Sequence, residues 1–191
     1  MNKLPVLDKG YVALFSNSMG REQFLSVQTG YFRGMVHRRI LSMPMIHMEI
    51  KCPLFVQLYL TESLNAVARR SSAPEAFIPA INDVAAGNLE TSEVISKDIE
   101  QTTKALLLNP KSYQMDGCDI FISQVISPIS VYNTLMVNGT LDQWILAVKG
   151  KSLPAPIEQY RKAIEDVLLA EYDFLREHIV GKKTEKRKRN R

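Results

Sequence analysis

The chain has 191 residues, of which 46% are hydrophobic and 23% charged, with a formal net charge of +4. These totals suit one folded domain with a sizeable core and exclude a disordered, collagen-like or disulfide-framework chain. No apolar run reaches the ~18 residues that a membrane-spanning helix needs. The opening MNKLPVLDKG lacks the apolar stretch of a secretory signal, so a cytoplasmic protein without a membrane is expected.

In chain order, Val12 and Leu14 alternate with Tyr11, Ala13 and Phe15 between Gly10 and Gly20, which predicts a short strand. Residues 21–42 read as helical at first and irregular later. Arg33, His37, Arg38 and Arg39 form a basic cluster there, either a solvated face or an anion contact. The stretch HMEIKC, residues 47–52, has period two: Met48, Ile50 and Cys52 point one way, His47, Glu49 and Lys51 the other. That is a half-buried strand. Pro53 ends it and suits the first position of a helix, where its missing N–H is not needed. Leu54, Phe55, Leu58 and Tyr59 give this helix an apolar side. It runs into Ser63, Asn65, Arg69 and Arg70, whose hydroxyl, amide and guanidinium groups together suit an anion such as phosphate.

Residues 71–88 read as a loop. A helix follows over 89–108, with Ile95, Ile99 and Leu106 on one side and Asn109-Pro110 as its stop. Ile157, Tyr160, Ile164, Leu168, Tyr172, Leu175 and Ile179 recur every three or four residues, predicting one long amphipathic helix from Pro154 and Pro156 to Gly181. Residues 182–191 hold seven of the 24 Lys and Arg residues against one Glu; the remaining 17 basic residues face 19 acidic ones, so the body carries −2. The chain thus divides into a folded domain, 1–181, and a basic tail that cannot fold alone, 182–191. Cys52 and Cys118 have no metal or redox spacing and read as buried thiols in a reducing compartment.

Several of these segments carry a resemblance. Lys51, Pro53, Phe55 and Val56, then Ser63, Asn65 and Arg70, resemble the signature region of the flavin-dependent thymidylate synthases. Asp8, Gly10, Tyr11, Val12, Met19 and Gly20 resemble that family's opening, and Pro44 and His47 its Pro-x-x-His element, whose histidine approaches the flavin. Without the rest of the flavin motif, His47 reads equally as a strand histidine bonded to its neighbours. Pro128 and Tyr132, then Asn138 and Lys149, keep two further spacings. The chain departs from the pattern in specific places. The family's Arg-His-Arg triplet falls on Leu58, Tyr59 and Leu60, and the signature's second serine on Ala68. An Ala-Arg pair falls on Ser123 and Gln124, and the nucleotide-binding arginine on Lys149, which keeps the charge but not the planar two-pronged donor. Glu158 is the remnant of an Ala-Gln-x-Glu-Ile segment.

The resemblance implies an α/β (α+β) subunit with a mixed sheet, a helical portion and a long C-terminal helix, assembled as a homotetramer. It implies a pyrimidine nucleotide held by Ser63, Asn65, Arg69, Arg70 and Lys149. FAD is expected only if the family chemistry survives, because the cations that would grip it are missing; His47 would be its weak contact. The leading expectation is therefore a divergent relative without the standard dUMP methylation. One alternative is a nucleic-acid-binding or scaffolding oligomer that uses Lys182, Lys183, Lys186, Arg187, Lys188, Arg189 and Arg191. A second is an active FAD-dependent enzyme. No catalytic residue and no metal set is assigned; none of the three histidines pairs at metal spacing.

Overall fold

The structure, a computed structural model, describes residues 2–62, 64–69, 75–77, 93–105, 130–149 and 153–180. Five strands form one antiparallel sheet: β1 (Leu4–Val6), β2 (Gly10–Asn17), β3 (Met45–Pro53), β4 (Asn65–Arg69) and β5 (Tyr132–Thr140), in the order β1-β2-β3-β5-β4. The helices are α1 (Arg21–Phe32), α2 (Arg38–Leu41), α3 (Leu54–Thr61), α4 (93–105), α5 (Leu141–Val148), α6 (Ala155–Glu171) and α7 (Arg176–Ile179). The fold is thus mixed α/β, and among the described residues no helix is long and apolar enough to cross a membrane.

The sheet is organised around β3. Its alternation is as predicted: Ile46, Met48, Ile50 and Cys52 are buried, and the residues between them are half-exposed. Both β3 and β4 run antiparallel to β5, so they are parallel to each other. Helix α3 makes the crossover between them, and β5 fills the gap it leaves.

Three helices lie on the buried face. Val56 and Leu60 of α3, Trp144, Ile145 and Val148 of α5, and Tyr160, Ile164 and Leu168 of α6 pack with Val12, Met48, Ile50, Leu135 and Val137. The large amphipathic rings also tie helices to strands, since a buried O–H or N–H needs a partner. Trp144 Nε1 donates to the Ile46 carbonyl at 3.2 Å, and the Tyr160 hydroxyl to the Lys51 carbonyl at 2.8 Å. The latter contact passes directly over Gly10: a Cβ there would lie 1.8 Å from the Tyr160 oxygen. Thr140 starts α5 with a capping box, its N–H donating to Gln143 Oε1 at 2.8 Å.

Three expectations need correction. The core side of α3 is Val56 and Leu60, not Leu54 and Leu58; Leu58 is 59% exposed. The sheet, expected to be mixed, is antiparallel at every pairing, and residues 65–69, whose local sequence announces no element, form its edge strand because β5 supplies their hydrogen-bonding partners. The long C-terminal helix stops at Glu171. Tyr172 leaves helical geometry (φ −128°, ψ 49°) to send its hydroxyl to the Met19 carbonyl at 2.8 Å, and its ring joins Phe24 and Phe174. A 3₁₀ turn, Asp173–Leu175, then leads into α7. The predicted helix over 89–108 is present where described, at 93–105; its other residues lie outside the described set.

Candidate functional site on the open sheet face

The sheet face opposite α3, α5 and α6 carries the polar residues of β3. Strand register sorts them into rows. Ser16, His47, Asn138 and Asn65 lie side by side across β2, β3, β5 and β4. The next row is Ala13, Glu49, Met136 and Val67; the third is Tyr11, Lys51, Thr134 and the Arg69 position. Directly opposed residues have Cβ atoms about 4.5–5.5 Å apart, close enough for one small ligand to touch three of them. A bulge between Leu14 and Ser16 breaks the register beside His47 and leaves Phe15 unpaired and exposed.

Charge is compensated at one end of this face. The Tyr11 hydroxyl donates to Glu49 Oε1 at 2.6 Å, and Lys3 Nζ lies 3.5 Å from the same oxygen and 3.9 Å from the Tyr11 ring centre. Lys51 hydrogen-bonds Glu75, and this bond holds the Glu75 carboxyl below its ordinary range. At the other end His47, Asn138 and Asn65 offer an imidazole and two carboxamides. The hydrogen bonds among the described residues leave these three side chains uncommitted. Each amide has two donors and an acceptor with two lone pairs, so the row can match a flat ligand whose edge alternates donors and acceptors.

Of the residues singled out in the sequence, His47 and Asn65 meet here, both beside Asn138. Arg69 takes the register position opposite Thr134. Lys149 does not join them. It is exposed at the end of α5, where its N–H closes the last turn onto Ile145 and Leu146, and α5 lies on the other face of the sheet. Ser63, Arg70 and the seven tail cations lie outside the described residues.

The three positions that the family resemblance assigns to the flavin grip have other surroundings here. Leu58 faces solvent, the Tyr59 hydroxyl donates to the Ala147 carbonyl at 2.8 Å, and Leu60 is in the core. These side chains bring no cation to phosphates or to an electron-rich ring, so they do not fit that cofactor.

Other perturbed groups belong to the scaffold. Burial pushes the Cys52 thiol up to about 12, which keeps it protonated and inert. Burial also raises the Tyr160 and Tyr132 hydroxyls, and Tyr132 donates to Asp8 Oδ1 at 2.5 Å. Asp8 sits on the wall of an open groove of about 820 Å³ between the β1–β2 turn and α6.

In the sequence, His47 and Asn138 fall in separate motifs. Their juxtaposition needs the β3–β5 register, which no alternation announces: residues 132–137, Tyr-Asn-Thr-Leu-Met-Val, place two polar residues together and then three apolar ones. No protein-family model matches the chain, and no curated protein matches it.

Proposed function

We propose that this protein is a divergent relative of the flavin-dependent thymidylate synthases that binds a pyrimidine nucleotide and has lost the standard flavin-dependent methylation of dUMP. The observation that carries the reading is the row His47, Asn138, Asn65, which joins three segments of the family resemblance across three strands. A pyrimidine ring offers a flat edge of alternating carbonyl and N–H groups, the complement of two neighbouring carboxamides. Ser63, Arg69 and Arg70, adjacent in sequence to Asn65, would supply phosphate contacts. Lys149 would reach the same ligand only from another copy, in line with a cytoplasmic homotetramer whose sites are shared between subunits. The exposed Val67 and Phe15 on the open face support such an assembly.

The test is thermal unfolding of the purified protein with dUMP and, separately, with FAD, alongside its absorption spectrum. A ligand that binds only the folded state adds about 2.7 kcal/mol of stability at one hundred times its Kd. Stabilisation by dUMP, with a colourless protein indifferent to FAD, is the expected result. A bound, reducible flavin would restore the enzyme reading, and indifference to both ligands would defeat the nucleotide proposal.

A further inference from the structure

The connection between α1 and α2 is the most cationic part of the described body. Between Glu22 and Glu49 the sequence has no acidic residue, and Arg33, Arg38 and Arg39 all fall there. The backbone of this connection is fixed by its own hydrogen bonds. Arg33 (φ 50°) and Gly34 (φ 78°) both adopt the left-handed conformation, which turns the chain sharply off the end of α1. The N–H groups of both residues bond the Gln28 carbonyl, and the Gln28 amide donates to the Gly34 carbonyl at 2.6 Å. His37 Nδ1 accepts the Arg39 N–H at 3.2 Å, and its ring stacks on Phe32, 11° from parallel.

This rigid turn displays apolar groups among its cations. Tyr31 is 83% exposed and Met35 66%. Arg38 reaches an acid, Asp142, at 3.4 Å, yet its side chain stays 80% exposed. Tyr31 precedes Arg33 and Met35 lies between Arg33 and Arg38, so an exposed ring and a thioether stand beside three exposed guanidinium groups. Guanidinium groups grip phosphate with paired donors, and an exposed aromatic ring stacks on any unpaired base. Helix α2 has only four residues, too short to read a duplex major groove. We propose that the α1–α2 connection is a contact surface for single-stranded nucleic acid, with Arg33, Arg38 and Arg39 on phosphates and Tyr31 stacked on a base.

The test measures binding of a fluorescein-labelled oligothymidylate to the full chain by anisotropy across a salt series. The triple variant R33Q/R38Q/R39Q should bind at least tenfold more weakly. Its log–log salt slope should be shallower by about 2, since each single-strand phosphate contact contributes ~0.7. Tyr31→Ala should weaken binding about fivefold or more and leave the slope unchanged. Because Arg38 also meets Asp142, the double variant R33Q/R39Q provides a second measure, with a slope change of about 1.4. Unaltered affinity and slope in these variants would assign binding to the basic tail and overturn the proposal. So would absence of oligonucleotide binding, or binding to phosphatidylserine vesicles instead. Stabilisation by dUMP should be the same in every variant, which separates this surface from the open sheet face.

Discussion

Replacing Gly10 by alanine tests the register of the whole helical layer on the sheet. The new Cβ would lie 1.8 Å from the Tyr160 oxygen and 2.8 Å from the carbonyl oxygens of Lys51 and Val6. The hydroxyl must leave, which takes a hydrogen bond from the half-buried Lys51 carbonyl at a cost of about 1–3 kcal/mol. Forcing a methyl group into a packed strand pair adds about 1–3 kcal/mol. At about 2–4 °C per kcal/mol for a domain of this size, the melting temperature should fall by roughly 5–20 °C. Tyr160→Phe removes the nearest clashing atom and should cost about 1–2 kcal/mol alone. Urea unfolding of both single variants and the double variant closes a thermodynamic cycle. The double variant should be more stable than the sum of the single losses predicts, by about 1–3 kcal/mol, because the carbonyl loses its hydrogen bond once and the clash with oxygen is gone. Losses that add to within ~0.5 kcal/mol would show that the Tyr160 hydroxyl does not lie over Gly10, and the placement of α6 on β2 would fall with it.

Asn138→Leu should abolish the melting shift produced by dUMP while changing the stability of the free protein by less than about 1 kcal/mol; a persisting shift would remove Asn138 from the nucleotide site. Lys51→Met should cost at most about 1 kcal/mol near neutrality, because the pair with Glu75 is only partly shielded from water. The folded-state value of Glu75 is depressed, so this contribution is present above the ordinary carboxyl value of 4.5 and is lost as pH falls through the lower folded value. Stability curves of the wild type and variant should therefore converge in acid; a constant gap would assign the effect to packing. In a Cys118→Ser background, the Cys52 thiol should resist a disulfide reagent at about pH 8 until the protein is unfolded, and reaction in native buffer would contradict its burial.

Strand β3 was legible because its period of two coincides with a real difference between its faces. Helix α3 was legible in its start, set by Pro53, but not in its orientation. The segment Leu-Phe-Val-Gln-Leu-Tyr-Leu is apolar on nearly every side, so periodicity cannot choose the core face; contact with β3 and β5 does. The C-terminal helix hid its break for a related reason. Tyr172, Leu175 and Ile179 continue the helical spacing, yet Tyr172 is held by Met19, a residue far off in sequence. The residues proposed to hold a nucleotide were legible as types, but not as a group. Register brought His47 to Asn65 through Asn138, while Lys149 went with α5 to the opposite face. The basic cluster at Arg33–Arg39 was visible as charge, whereas the exposure of Tyr31 and Met35 beside it was not.

The position of β5 bears on how the chain can be made. This strand pairs along its full length with β3, Met48 facing Val137, and along its other edge with β4. A ribosome therefore releases β3, α3 and β4 long before the strand that joins them exists. Until residues 132–140 emerge, two strands present bare hydrogen-bonding edges toward the same gap, and Met48, Ile50 and Cys52 lack part of their cover. Such edges pair readily with other chains. Contacts this distant in sequence also slow folding, since loop closure precedes their reward. Premature termination before Tyr132 should therefore yield an aggregating fragment, and the nascent protein has the greatest need of a chaperone over the interval between β4 and β5.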